Sequence, residues 1–180
     1  MKIKIIITLM IFVSLLTSLS CSLLLDDAME AENLRIPAKD YTGKELRTDG
    51  YYYHLLNDSI GSHYIFLYRN GVIYRSPGGI SFKNSLTVEE NLDNSVSYLA
   101  RTMRSKERHE HRANWGAFEI QANDFRYEVW GHYNKRQVYA GKIINDTTFV
   151  LTYGQGNTIN KKYCFRPFSP LPDSTNNFLP

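Results

Sequence analysis

A chain of 180 residues, 43% of them hydrophobic, is long enough to bury one real core, and its length argues against two domains. Its formal net charge of +3 includes Lys2 and Lys4 at the basic start; without them 19 basic residues face 18 acidic ones, which excludes the strong positive field of a nucleic-acid-binding protein. The remaining signal is aromatic: 13 Tyr, 9 Phe and 2 Trp, types that fit the half-buried pleated surface of a strand.

The chain opens with Met1-Lys2-Ile3-Lys4, then an apolar run from Ile5 to Leu19 broken only by small hydroxyl residues, then Ser20 and Cys21. That order predicts a secretory signal peptide over residues 1–20, and the run is shorter than the ~20 residues a spanning helix needs. Ser18-Leu19-Ser20-Cys21 resembles the lipobox of bacterial lipoproteins, with Ser18 where that motif carries a large aliphatic residue. The resemblance implies cleavage before Cys21 and lipid attachment to the Cys21 thiol, hence a membrane partner and a place in the cell envelope. Lipoproteins retained in the inner membrane commonly carry Asp after the cysteine; Ser22 stands here, which implies the outer membrane. With Cys21 lipidated, Cys164 has no partner in the chain, no disulfide framework is expected, and the fold rests on its core. Cys164 itself, in Lys162-Tyr163-Cys164-Phe165, reads as a small buried apolar residue.

Residues 21–45 read as the lipidated N-terminus and a tether. Asp27 and Glu30 form a capping box for a short helix that Pro37 ends. The acids Asp26, Asp27, Glu30 and Glu32 either hold the domain off an anionic lipid surface or belong to a plain solvated linker.

From Leu46 to Phe168 the pattern is of strands. Tyr51–Leu56, His63–Tyr68 and Gly71–Arg75 are dense apolar runs, with Asn57-Asp58-Ser59 as turn chemistry and Asn70-Gly71 as a hairpin signal, since both types tolerate positive φ. Thr87 and Glu90 form a second capping box, and Val88, Leu92, Val96, Leu99 and Met103 line one face of an amphipathic helix over residues 88–107. Trp115–Ala122, Phe125–Val129, Tyr139–Ile144, Thr147–Tyr153 and Lys161–Phe168 read as further strands. The fold class is therefore mainly β: an antiparallel meander of about eight strands forming a small barrel or sandwich, with one helix inserted between the third and fourth strands. Residues 169–180, rich in proline, cannot form a central strand and read as an extended tail packed by Phe168, Leu171 and Phe178.

Arg47-Thr48-Asp49-Gly50-Tyr51-Tyr52, Tyr68-Arg69-Asn70-Gly71-Val72-Ile73-Tyr74 and the stretch Gly141–Phe149, within this meander, resemble the lipocalin-like, calycin-type lipoproteins of Gram-negative bacteria. The resemblance covers residues 46–168, mostly as pattern, and implies a barrel that encloses a small apolar ligand. It departs where lipocalins open with Gly-x-Trp, since Tyr51 and Tyr52 follow Gly50 here, and in the position of the helix, which lipocalins place after the eighth strand.

No triad, nucleotide loop or catalytic motif is present, so no catalytic residue and no cofactor is assigned. His109-Glu110-His111 is the one clustered set of metal-ligand types, in a charge-dense stretch that reads as a solvated loop, so no metal is assigned. Glu119 and Glu128, on adjacent strands, share the polar side and read as a solvated face rather than a glycosidase pair. Gly154-Gln155-Gly156 lacks the helix start of a phosphate loop and reads as a turn. By alternation Phe118, Tyr127, Val129 and Leu151 face one interior, with Tyr64, Phe66 and Tyr68 on the facing wall; these seven residues are the candidate ligand pocket, because several inward tyrosines are easier to satisfy around a wet or ligand-filled cavity. Trp130, on the polar side beside Glu128 and His132, is the candidate surface contact, or else lies under the helix. Two readings follow: a membrane-anchored lipocalin-like module binding a small apolar or amphipathic ligand, or an envelope structural or protein-interaction module with a filled core.

Overall fold

Short alternating stretches, separated by residues that accept left-handed backbone, become hairpins. The computed structural model describes residues 32–57, 60–105 and 109–179. In chain order its strands are β1 (Gly50–Leu55), β2 (Gly61–Leu67), β3 (Val72–Arg75), β4 (Ile80–Ser81), β5 (Trp115–Gln121), β6 (Asp124–Trp130), β7 (Arg136–Asn145), β8 (Thr148–Gly154) and β9 (Asn157–Pro167); helix α1 (Val88–Met103) lies between β4 and β5. All pairings are antiparallel. Each long strand pairs with the next, and β9 returns to β1 through Tyr52↔Phe165, so eight strands close into a barrel without a free edge. The two-residue β4 adds to β2 outside that circuit; it is too short for alternation to announce, so the inserted helix follows β4 rather than β3.

Two turns show how local chemistry sets the register. Gln155 and Gly156 both have positive φ, 52° and 81°, in the two-residue turn between β8 and β9, where primed turns match the strand twist. At Asn70-Gly71 only Gly71 is left-handed, φ 76°. Its bare Cα also lets residue Lys39 pass close by, since a Cβ there would stand 2.2 Å from the Lys39 carbonyl oxygen.

The barrel interior is filled by Ile65, Leu67, Ile73, Phe118, Phe125, Val129, Ile143, Phe149 and neighbours. A second apolar layer lies outside the wall made by β1, β2, β3 and β5: Tyr51, Tyr64, Phe66, Tyr74 and Trp115 pack under Leu92, Val96, Leu99 and Met103 of α1, with Phe168 and Leu171 of the tail against them. Strands on this wall are buried on both faces, so they read as unbroken apolar runs such as Tyr51-Tyr52-Tyr53.

Helix α1 starts at the expected capping box. Thr87 Oγ1 accepts from Glu90 N at 3.2 Å, and Glu90 accepts from Thr87 N at 2.8 Å, an arrangement that stabilises by about 1 kcal/mol. The helix ends at Met103, one turn short of the expected 107, and Val88 at its start is exposed. The buried Asn91 anchors the approach to it: its Oδ1 accepts from Lys83 N at 2.8 Å and its Nδ2 donates to the Lys83, Leu86 and Thr87 carbonyls.

The described part of the expected tether, residues 32–45, lies against the barrel. Tyr41 N donates to the Arg69 carbonyl at 2.7 Å, the Tyr41 ring meets Phe118 edge-on at 5.5 Å, and Leu46 is buried in the interior cluster. These residues stopper one end of the barrel. The tail, without helix or strand over residues 168–179, is tied down by polar contacts: Asn70 Nδ2 donates to Ser174 Oγ at 3.0 Å, Asn177 N to the His109 carbonyl at 3.1 Å and Asn176 Nδ2 to the His111 carbonyl at 3.0 Å. Phe178 stays partly exposed, under the Arg112 guanidinium. Cys21 and the short helix expected at residues 27–35 lie wholly or mainly outside the described residues.

Candidate functional site

The two ends of the barrel differ in chemistry. At the stoppered end the interior is carbon: Phe125 and Phe149 rings sit 4.7 Å apart, Tyr52 packs on Phe149 at 5.0 Å, and the Tyr52 hydroxyl donates to backbone carbonyls of Arg47 and Asp146. At the other end the inward alternation carries polar side chains. Arg75 lies two residues after Ile73, His54 two after Tyr52, His63 two before Ile65, and Lys161 two before Tyr163. A cleft of about 520 Å³ opens among Arg75, Asn114, Gly131, Gln137 and Gln155.

Arg75 is the centre of this end. Its guanidinium carbon stands 4.9 Å over the Tyr139 ring, a cation–π placement, and the phenols of Tyr127, Tyr139 and Tyr163 act on its charge. Burial disfavours that charge, the phenols favour it, and the balance lies above the ordinary arginine value, so the guanidinium is fully charged. Its Nε is shut off from solvent and makes no hydrogen bond; the buried Tyr127 hydroxyl likewise has none of good geometry. Tyr127 and Tyr139 stack at 4.7 Å, Tyr163 stacks on Phe149 at 5.0 Å, and Tyr139 donates to Gln137 Oε1 at 3.1 Å, so the rings beside Arg75 are held in place.

The other titratable groups here answer to the same cation. Burial first, then Arg75 and Lys161, hold His63 down to about 4. Burial and Arg75 lower Lys161. His54 is lowered by burial, against a contact of its Nδ1 with the Lys162 carbonyl oxygen at 2.9 Å, and its ring stacks on His63 at 6.4 Å. No carboxylate among the described residues pairs with any of the four.

The seven expected pocket residues divide between two sites. Phe118, Tyr127, Val129 and Leu151 are inside the barrel. Tyr64, Phe66 and Tyr68 are not: β2 turns Ile65 and Leu67 inward and those three outward, beneath α1 and the tail. Both faces of β2 are apolar, so period-two alternation cannot say which face looks in. Trp130 is 5% exposed; residues from the N-terminal segment cover it, and its Nε1 donates to the Glu32 carbonyl at 2.7 Å. It is not a surface contact.

The solvated-face expectation fails for Glu128 in the same way. It is 0% exposed and accepts from Arg35 N at 2.6 Å, Ile36 N at 3.3 Å and Arg136 Nη1 at 2.9 Å. Glu119 remains half-exposed, with Arg126 at 3.8 Å. His109-Glu110-His111 serves as a platform for the tail, and among the described residues no group of three or more His, Cys, Asp or Glu side chains is arranged to hold a metal ion.

Comparison with protein-family models, with curated proteins and with solved structures finds no match for this chain. The signal that would have found the open-end residues was present: a charged or imidazole side chain at an inward position of an otherwise apolar strand, four times over, in strands that meet at one end.

Proposed function

We propose that the chain is a lipid-anchored envelope protein whose lipocalin-like barrel binds a small amphipathic ligand at its open end. The observation that carries this is the asymmetry of the barrel interior: one end packed with aromatic rings and stoppered by residues 41–46, the other a cleft of about 520 Å³ lined by Arg75, whose guanidinium rests on the Tyr139 ring, and by the amides of Asn114, Gln137 and Gln155. Ligand sites are concave and offer a few fixed polar groups over an apolar floor, and a cleft of this volume suits a small molecule rather than a peptide strand, for which a closed sheet presents no edge. The membrane arm rests on the signal-peptide pattern and Cys21.

Native mass spectrometry tests the binding arm, on the full chain purified in detergent from its own host. A reproducible extra mass, lost on denaturation, is the expected result. A bare protein mass that stays bare after incubation with host lipid extract would overturn it. Cys21→Ser tests the anchor: the variant is expected to lose the diacylglycerol mass and leave the membrane fraction, and a variant still membrane-bound with unchanged mass would refute the lipid assignment.

A further inference from the structure

We propose, building on the binding reading above, that the ligand carries a carboxylate-type anionic head and that the Arg75 guanidinium at the base of the cleft receives it.

Two other arginines packed against the barrel, Arg136 and Arg166, are matched by acids, while Arg112, its Nε also buried and unbonded, lies over the Trp130 and Phe178 rings. Arg136 has Glu128 at 2.9 Å, Arg166 has Glu89 at 2.7 Å and Asp93 at 3.2 Å. Among the described residues no acid pairs with Arg75, although its Nε is the more enclosed. Its charged neighbour is another cation, Lys161, with the imidazoles of His54 and His63 beside it. Withdrawing a guanidinium from water without a counter-charge is costly, and gathering further basic groups around it adds to that cost. The arrangement contributes to function only if a negative charge arrives from outside.

The geometry is prepared for that arrival. The Tyr139 face holds the guanidinium from one side, so less side-chain freedom is lost when a ligand docks. The fork of a guanidinium meets the two oxygens of a carboxylate bidentately. Gln137, Gln155 and Asn114 line the cleft above it and supply amide groups to the body of the ligand.

The test compares two isosteric probes that differ in charge, naphthoate and its carboxamide, by titration calorimetry against the full chain in detergent and against Arg75→Met and Arg75→Lys, each first shown to be folded by its near-ultraviolet spectrum. A charge-assisted contact predicts naphthoate binding about 10- to 100-fold tighter than the carboxamide. That preference is expected to vanish in Arg75→Met, with the carboxamide unaffected, and to return in part in Arg75→Lys. Lys161→Gln, at a more exposed position, is expected to weaken naphthoate about 2- to 5-fold by removing a neighbouring charge. Equal affinity for the two probes, or a preference that survives in Arg75→Met, would overturn the anion assignment and leave the binding reading standing, as would a co-purified ligand found to be neutral. If neither probe binds, the host-derived ligand decides: an anionic molecule lost from Arg75→Met upholds the inference, and a bare native mass overturns it together with the binding reading.

Discussion

Glu128→Gln is the perturbation that most directly tests how this barrel is assembled. Glu128 projects outward from β6, yet it is fully buried, because residues 32–36 cross over it and offer two backbone N–H groups while Arg136 approaches from β7. Glutamine keeps the shape and loses the charge. One of its two terminal atoms becomes a donor, which must face either the Arg35 and Ile36 N–H groups or the Arg136 guanidinium. Hydrogen bonds to a charged group contribute about 1.5–3 kcal/mol each, and breaking a buried ion pair costs about 3–5 kcal/mol. Because glutamine retains one acceptor, we expect a loss of about 3 kcal/mol, equivalent to a fall in Tm of roughly 6–12 °C for a domain of this size. The assay is urea unfolding of wild type, Glu128→Gln, Arg136→Met and the double variant. A coupling energy of about 1–3 kcal/mol between the two positions is expected, together with faster hydrogen exchange at the Arg35 and Ile36 amides. The half-exposed Glu119→Gln serves as control, with a change under about 0.5 kcal/mol. A cost for Glu128→Gln under about 1 kcal/mol, or amides at 35 and 36 protected as in wild type, would refute the assignment of Glu128 as the clasp of the N-terminal segment.

The acid side of the stability curve should carry the signature of His63. Its folded pKa, near 4, lies below the unfolded value, so between about pH 4 and 6.5 the unfolded chain binds more protons, and stability falls as pH falls through that window while being fully present above it. Allowing for partial exposure, the contribution is about 1–2 kcal/mol; His63→Gln should flatten the fall between about pH 7 and pH 4.5 by that amount, and parallel curves for the two proteins would refute it. At the helix start, Asn91→Ala strands the backbone N–H and carbonyl of Lys83 and should cost about 2–3 kcal/mol, against about 1 kcal/mol for Thr87→Ala at the cap. Chemical denaturation checks the order, and a larger loss at Thr87 would contradict the role given to Asn91.

Much of the architecture was legible locally. The eight long strands, the capped helix after the third of them, and the tail without helix or strand all follow from alternation, turn chemistry and capping residues, which act within a few residues of the chain. The signals failed where a second layer covers a strand. Tyr64, Phe66 and Tyr68 were assigned to the barrel interior because β2 is apolar on both faces; helix α1 and the tail supply the outer layer, and local alternation does not reveal which face they cover. Glu128 and Trp130 read as solvated because they alternate with apolar neighbours, yet a segment almost a hundred residues away in sequence lies on top of them.

The sequence by itself determined the strand periodicity, the turns and the helix cap, because each is decided by backbone preferences and by neighbours in the chain. Only the tertiary structure decided that the sheet closes, that residues 41–46 stopper one end, and that Arg75, His54, His63 and Lys161, drawn from four strands, meet at the other. Closure depends on β9 finding β1 across more than a hundred residues, and the character of the open end is a sum over charges that no local window contains. That sum, cationic and without a paired acid among the described residues, is the ground for the proposed anionic ligand.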